Sequence, residues 1–262
     1  MERDYNIELM RGTHYRTTDL AKAAGTHPNT VRLYEQWGLL PPVQRSPSGY
    51  RLFTQAHLDQ MCLARLVLHG GWPGKSIRQS ALALVKHAAT GDLGGALEMA
   101  YQHLALVQAE QARAEAAAHF LERWANGMPA DTAGHRMHIG DAARHLGTTI
   151  DALRNWERNG LLDVPREAHT GYRLYGPQEL GRCRVIRMLL MSGYSMMAIL
   201  RMLTALDGGE SEDLRQALDT PRPDEDVFTS ADRWLTSLAE VEARAHLIIA
   251  RIESLLTQRD NI

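Results

Sequence analysis

The chain has 262 residues, of which 44% are hydrophobic and 23% charged, with a formal net charge of -2, so its composition is that of an ordinary globular protein. Two cysteines, Cys62 and Cys183, argue against a disulfide scaffold and fit a reducing compartment. The opening segment is charged, and no apolar run approaches the ~20 residues needed to cross a bilayer. We therefore expect a cytoplasmic chain with no membrane partner.

The near-neutral net charge conceals an uneven distribution of charge along the chain. Residues 207–226 contain eight acids and two arginines, whereas residues 26–53 contain three arginines and one glutamate. The N-terminal region therefore keeps a local basic excess, and the net charge does not exclude a nucleic-acid ligand.

In chain order, the first predicted elements are two short helices joined by a tight turn. Thr18 is expected to cap the first helix, and Gly25 to end it. Pro28 suits the first turn of the second helix, which Gly38 ends. Two short helices with a glycine-containing turn between them predict a helix-turn-helix.

A Pro-containing segment follows the second helix and ends in Gly49-Tyr50-Arg51. Its glycine and serines indicate a turn, and its flanking residues favour a small β-hairpin. Two further helices are expected at about residues 55–69 and 75–90. A long helix with an apolar seam should then run from about residue 93 to 125.

The second half of the chain repeats the first at an offset of 122 positions, the separation of Gly49 from Gly171. At that offset about 18 residues are identical over roughly 64 positions, which excludes chance. The repeat predicts a second helix-turn-helix, with Gly147 at the break and Thr149 as the cap, followed by helices at 178–192 and about 196–206. A second long helix is expected over about 230–258.

The predicted fold is mostly α, with two tandem winged helix-turn-helix domains, each followed by a long coiled-coil helix. The expected segments are a first domain at 14–90, a first long helix at 91–126, a linker at 127–136, a second domain at 137–206, an acidic loop at 207–229 and a second long helix at 230–262.

The motifs Thr30-Val31-Arg32-Leu33-Tyr34-Glu35, Gly38-Leu39-Leu40-Pro41 and Gly49-Tyr50-Arg51 together resemble the winged helix-turn-helix of the MerR family of transcriptional regulators. The second copy carries Leu153-Arg154-Asn155-Trp156-Glu157, Gly160-Leu161-Leu162 and Gly171-Tyr172-Arg173. The resemblance implies a sequence-specific double-stranded DNA-binding regulator that distorts promoter DNA and acts with RNA polymerase.

The resemblance also implies which residues contact DNA. Those expected in the first unit are Thr18, His27, Asn29, Thr30, Arg32, Tyr34, Arg45, Ser48, Tyr50 and Arg51. Those expected in the second unit are Thr149, Asp151, Arg154, Trp156, Arg158, Arg166, Thr170, Tyr172 and Arg173. Arginine suits phosphate because its planar fork donates two hydrogen bonds at once. The alternative for Tyr50 and Tyr172 is packing within the hairpin. Because Asp151 stands where a polar or basic residue is common, we expect the second unit to bind more weakly.

Two assemblies are compatible with the long helices. The two helices of one chain can pair with each other, which makes the chain a covalent pseudo-dimer, or each can pair with a second chain in a homodimer. One seam is rich in alanine and the other in leucine and isoleucine, which makes them complementary.

Other sites receive less support from the sequence. Methionines at helical spacing leave room for a small apolar effector, with Trp72, Trp124, Tyr194 and Trp234 as walls. The alternative function is accordingly a small-molecule-binding protein, sequestering or sensing, on the same duplicated scaffold. We expect no metal and no cofactor, and no nucleophile–base constellation or phosphate loop indicates an enzyme.

Overall fold

The computed structural model describes residues 14–70, 73–131, 133–209, 213–221 and 230–260. Its helices are α1 (Thr17–Ala23), α2 (Pro28–Gln36), α3 (Gln55–Leu68), α4 (Lys75–Ala88), α5 (Leu93–Ala125), α6 (Ile139–Leu146), α7 (Ile150–Arg158), α8 (Pro177–Met191), α9 (Met196–Asp207), α10 (Leu214–Asp219) and α11 (Trp234–Asp260), the last preceded by a 3-10 turn (Ser230–Arg233). Its strands are β1 (Gln44–Arg45), β2 (Arg51–Leu52), β3 (Met137–His138) and β4 (Leu174–Tyr175). The mostly helical fold with two small hairpins is confirmed.

The chain forms two compact units. Unit 1 comprises Met1–Val107 together with Val241–Ile262, and unit 2 comprises Gln108–Glu240. Each unit therefore contains one helix-turn-helix and one part of each long helix. This division differs from a linear succession of domains, because α5 and α11 each contribute to both units.

The start of α1 corrects the expected cap. The helix begins at Thr17, so Thr18 lies inside its first turn rather than capping it. Arg16 is the N-cap residue, and its backbone N–H donates to the Asp19 carboxylate at 3.1 Å. A carboxylate in the first turn satisfies the free N–H and favours the positive end of the helix. Gly25 has a φ of 62°, as a helix-ending glycine requires.

The second helix of each helix-turn-helix motif, α2 in unit 1 and α7 in unit 2 (the recognition helix of that motif), begins with a side-chain cap. The Nδ1 atom of His27 accepts from the Asn29 N–H at 3.2 Å, so a histidine fills the cap position in unit 1. Thr149 caps α7, as predicted, because its hydroxyl oxygen accepts from the Ala152 N–H at 3.0 Å. Gly147 has the same left-handed φ of 62° as its counterpart in unit 1, which confirms the turn.

The wings have the same pairing in both units. Strand β1 pairs antiparallel with β2, and β3 pairs antiparallel with β4. The hairpin of the wing is the β1–β2 pair in unit 1 and the isolated backbone bridge between Arg166 and Arg173 in unit 2. In both units the second strand of this hairpin also pairs with the segment before the first helix, through the Tyr15–Phe53 bridge in unit 1 and the β3–β4 pair in unit 2.

In unit 1 the two long helices pack against each other. The Tyr101 hydroxyl on α5 donates to Glu253 on α11 at 3.1 Å, and Arg259 near the end of α11 donates to the Gly91 carbonyl just before α5 at 2.8 Å. These contacts make the pair antiparallel. The buried seam is mostly small on α5 and mostly large on α11. Its residues are Ala96, Ala100 and Leu104 on α5, and Ala245, Ile248, Ile252 and Leu255 on α11.

A buried polar contact recurs at equivalent positions of the two units. The Gln60 amide nitrogen, on α3, donates to the Leu39 and Val85 carbonyls, each at 2.9 Å. At the matching position of α8, the Arg182 Nε atom donates to the Leu161 carbonyl at 2.8 Å. The chain after each recognition helix is therefore fixed to the following helix by a side chain. None of the described helices is long and apolar enough to cross a membrane.

Candidate DNA-binding interface

Each recognition helix is held by one apolar face and leaves a polar face in solvent. Val31 and Leu153 are fully buried beneath α2 and α7. The side chains expected at the DNA that are exposed on these helices are His27, Asn29, Arg32, Thr149, Asp151, Arg154 and Arg158. Thr30 is half-buried on α2, and Thr18 is exposed on α1. The arrangement presents polar side chains as a groove-reading helix does.

The exposed arginines of the two helices have different neighbours one turn away. Arg32 donates to the Asn29 side-chain oxygen at 3.1 Å. Arg154 lies 3.4 Å from a carboxylate oxygen of Asp151, with which it forms an exposed ion pair. The charge of Arg154 is therefore partly compensated within its own helix, whereas the charge of Arg32 is not. The two reading surfaces differ in electrostatics although their backbones match.

The wing of each unit is joined to the recognition helix by an ion pair. The Nε atom of Arg51 lies 2.5 Å from Glu35, and the Nε atom of Arg173 lies 2.5 Å from Glu157. All four side chains are 20–29% exposed, so these pairs are partly protected from solvent screening. Since the carboxylate engages Nε, the terminal nitrogens of each guanidinium stay available as donors.

This ion pair was not predicted, although the sequence contains its signal. Both copies keep a glutamate and an arginine 16 residues apart, which marks a shared contact. Two roles follow from the contact. The arginine positions the wing against the helix, and the glutamate holds the arginine rather than facing a phosphate.

The tyrosines beside these arginines project into solvent. Tyr50 is 70% exposed and Tyr172 is 65% exposed. The Tyr172 ring makes one edge contact, with His138 at a centroid distance of 6.0 Å. Such exposure favours a binding role for both tyrosines over the alternative of packing within the hairpin.

The wing turns contain the remaining polar residues expected at DNA. Arg45 donates to the Gly49 carbonyl at 3.2 Å, and Arg166 donates to the Gly171 carbonyl at 3.3 Å. The two arginines are thus structural equivalents. Ser48 and Thr170 are exposed and form local side-chain bonds: Ser48 with Ser46 at 2.8 Å, and Thr170 to Glu167 at 2.5 Å. The second wing thereby carries a carboxylate that the first wing lacks.

The two aromatic residues of the recognition helices have different surroundings. Trp156 is only 5% exposed and packs in the interior of unit 2, so the structure gives it a packing role. Tyr34 is half-buried and stacks with Trp37 at a centroid distance of 6.4 Å. Its pKa is raised chiefly by desolvation, with an opposing effect of Arg65. Of the two, only Tyr34 keeps surface on the outside of its helix.

The residues proposed as walls of an effector site do not form one cavity among the described residues. Trp72 lies outside the described part of the chain. Tyr194 is buried and donates to the Ala114 carbonyl at 3.2 Å, and Trp234 is buried over Gly193. Trp124 borders a different depression, of about 420 Å³, next to Gln178 and Arg182.

The two cysteines, Cys62 on α3 and Cys183 on α8, lie outside the candidate interface. Burial raises the pKa of the Cys183 thiol to about 12, so the thiol stays protonated. Within the described ranges, no three His, Cys, Asp or Glu side chains lie close enough together to hold a metal ion.

Two helix-turn-helix motifs, each with a β-wing joined to its recognition helix, define the winged helix-turn-helix class of nucleic-acid-binding folds. The model of the MerR HTH family of regulatory proteins matches this chain twice, over residues 15–83 and 137–206. These matches cover more than half of the chain, and the chain belongs to this family. Both matched regions coincide with the helix-turn-helix, wing and following helices of one unit.

Curated relatives are similar to parts of the chain. The HTH-type transcriptional regulator CueR of Escherichia coli O6:H1 is 44% identical over 48 residues, which is 18% of this chain and 36% of the relative. The mercuric resistance operon regulatory protein of Bacillus cereus is 29% identical over 77 residues, 29% of this chain and 58% of that protein. Its counterpart in Serratia marcescens is 27% identical over 109 residues, covering 41% and 76% of the two chains. The chain thus spans about a third of the length of the first of these relatives. No solved structure matches the chain.

Proposed function

We propose that the protein is a sequence-specific double-stranded DNA-binding transcriptional regulator. The observation that carries this proposal is the pair of wing arginines, each held against its recognition helix by a glutamate. A recognition helix suits the major groove, and an adjacent guanidinium with free terminal nitrogens suits the flanking phosphate. A sequestering protein would not need this arrangement twice, and membership of a family of regulators favours DNA over a sequestered ligand.

We further propose that one chain binds a two-part site as a covalent pseudo-dimer. In unit 1 the apolar seam of α11 is buried against α5 of the same chain. The apolar residues of α11 in unit 1 are therefore already covered by α5, and a second chain is not needed to cover them. Because each unit contains its own helix-turn-helix, one chain carries the two DNA-binding domains that a dimeric regulator would have.

The action on the promoter is a finer part of the same proposal. Members of the family that the chain resembles bind between promoter elements and distort the spacer, after which RNA polymerase opens the DNA. DNA deformation costs energy that depends on sequence, so the sequence between two half-sites also contributes to recognition. Such a regulator acts in the cytoplasm, with promoter DNA and RNA polymerase as its partners.

Selection of binding sites from random duplex DNA, followed by footprinting, tests the proposed function. We expect one enriched site with two parts, each protected by one unit. A library that yields no enriched duplex would contradict the DNA-binding proposal. Circular-permutation gel mobility on the enriched site then reports whether the bound DNA is bent.

The second unit should bind its half-site more weakly than the first. Asp151 partly compensates Arg154, and Glu167 adds a negative charge at the second wing. We expect Asp151→Asn to strengthen binding, because it removes a charge that repels phosphate and frees Arg154. The substitution should also shift base preference toward adenine at the contacted position, because asparagine pairs with adenine whereas aspartate accepts a hydrogen bond from cytosine. Such a contact discriminates against the wrong base by about 1–3 kcal/mol.

Parallel titrations of wild-type and variant protein with duplexes altered in one half-site measure this effect. The matched control is Asn29→Asp in the first unit, which should weaken binding and shift preference in the opposite direction. Unchanged affinity and base preference for both variants would show that these positions do not face the bases.

A further inference from the structure

A groove of about 510 Å³ lies in unit 2 between the end of α5, the segment after it and α8. This volume falls in the range of about 300–1,000 Å³ that is usual for small-molecule sites. Its apolar lining comes from Phe120, Met188 and Met191, and its charged lining from Arg113, Arg184 and Arg187. Met191 is largely exposed and Met188 partly so, so the apolar part of the groove is open to a ligand.

The charges around the groove leave one arginine uncompensated. Arg113 pairs with Glu110 at 2.9 Å, and Arg184 pairs with the buried carboxylate of Asp131. Arg187 has no hydrogen-bond or ion-pair partner among the residues that the structure describes. Its guanidinium is therefore available to pair with an anion that enters the groove.

Asp131 fixes the segment that closes one side of the groove. Its side chain is fully buried and receives bonds from Arg184 and from His145, the latter at 3.0 Å. Burial alone would raise the pKa of this carboxyl, but bonds from Arg184, the Ala133 N–H and His145 hold the pKa below its usual value. The carboxylate therefore stays ionised and paired, and it does not compensate Arg187.

The duplication supplies an internal comparison for Arg187. Its counterpart in unit 1 is Arg65, which donates to the Ala24 carbonyl at the end of α1 and so satisfies the helix terminus. Arg187 lies beside the same turn, with a terminal nitrogen 3.6 Å from the position a Cβ would take on Gly147, but it makes no such bond. Where unit 1 has Cys62, unit 2 has Arg184. Unit 2 has therefore changed a structural arginine into one that faces a groove.

We propose that this groove binds a small amphipathic organic anion, whose carboxylate or similar group pairs with Arg187 while its hydrocarbon part lies against Phe120, Met188 and Met191. Ser192 also borders the groove, and its hydroxyl can donate to the same anion. The excess positive charge of the groove disfavours a cationic ligand, and a neutral aliphatic ligand would leave Arg187 without an anionic partner. None of these residues is among those proposed to contact DNA.

Displacement of the fluorescent anion anilinonaphthalene sulfonate from the full-length protein tests the site, with decanoate, decanol and decyltrimethylammonium as competitors of equal chain length. We expect decanoate to bind at least about tenfold more tightly than the other two, because a hydrogen bond to a charged group is worth about 1.5–3 kcal/mol. Arg187→Gln should abolish that preference, and since Arg187 bonds to no residue that the structure describes, the variant should fold normally.

Two further variants make the result specific. Met191→Asp places a carboxylate on an exposed position of the groove and should weaken decanoate binding by about tenfold. Arg123→Gln removes an exposed arginine of unit 2 that does not line the groove and should leave decanoate binding unchanged. Equal affinity for the three competitors, or decanoate binding insensitive to Arg187→Gln, would overturn the proposal. Binding to phosphatidylglycerol vesicles without binding of monomeric decanoate would also overturn it, in favour of a lipid surface.

Discussion

Arg51→Ala is expected to weaken binding to the selected duplex by about 10- to 100-fold, because it removes a hydrogen bond to a charged group worth about 1.5–3 kcal/mol. It should also lower the slope of log affinity against log salt by about one, as expected for the loss of one phosphate contact. Arg173→Ala should act in the same direction with a smaller effect, since Asp151 and Glu167 already weaken its half-site. Affinity measured at several salt concentrations gives both quantities.

The controls separate a phosphate contact from a positioning role. Arg51→Ala leaves Glu35 unpaired, so the double variant Glu35→Gln/Arg51→Ala measures the loss without the added repulsion. Arg123→Ala removes an exposed arginine of α5 outside the interface and should change neither affinity nor slope. If Arg173→Ala left both quantities unchanged while Arg51→Ala did not, the second unit would be a structural copy that does not contact DNA.

Ile252→Ala is expected to destabilise unit 1 by about 2–5 kcal/mol, the usual cost of truncating a large buried residue to alanine. Ile252 is fully buried in the seam between α11 and α5. Hydrogen exchange of peptides within residues 93–107, measured across a urea series, reports the stability of that seam directly. Because both helices belong to one chain, the measured stability should not depend on protein concentration.

The matched control for this substitution lies on the same helix. Leu247 is 59% exposed, so Leu247→Ala should change stability by no more than about 0.5 kcal/mol. A loss for Ile252→Ala no larger than for Leu247→Ala would contradict the packing of α11 on α5. A stability that rose with protein concentration would instead indicate pairing between chains.

Features determined by local backbone chemistry could be predicted from the sequence. Gly25 and Gly147 were expected at helix ends because glycine adopts positive φ without a Cβ clash, and both do so. Pro28 begins α2 and Thr149 caps α7 for equally local reasons. The predicted cap of α1, Thr18, was wrong by two residues, because several polar residues are adjacent there. The Asp19 carboxylate accepts from the backbone N–H of Arg16, and Arg16 is the N-cap residue.

Features that depend on tertiary contacts could not be read directly from the aligned repeat. At a constant offset, Arg45 aligns with Glu167, whereas its structural equivalent is Arg166. A one-residue deletion before the second wing is compensated by a one-residue insertion within it, so an ungapped comparison hides the match. Gln60 and Arg182 differ in chemistry, yet each donates to the carbonyl of the corresponding leucine.

Burial also separates positions that align as equals. Tyr34 and Trp156 occupy the same place in their helices, but Trp156 is buried and Tyr34 is only half-buried. Similarly, Arg65 and Arg187 are identical in sequence, and only the first is bonded to a helix end. The two units thus share one scaffold, but the surroundings of equivalent residues differ. These differences give the second unit its own properties.

The mass of the protein–DNA complex on the selected two-part duplex tests the pseudo-dimer proposal most directly. Sedimentation equilibrium or native mass spectrometry should show one chain of 29.3 kDa per duplex, with both half-sites protected in a footprint of the same complex. Two chains per duplex would contradict the proposal that one chain binds both half-sites. Protection of both half-sites only when a second chain is bound would contradict it as well.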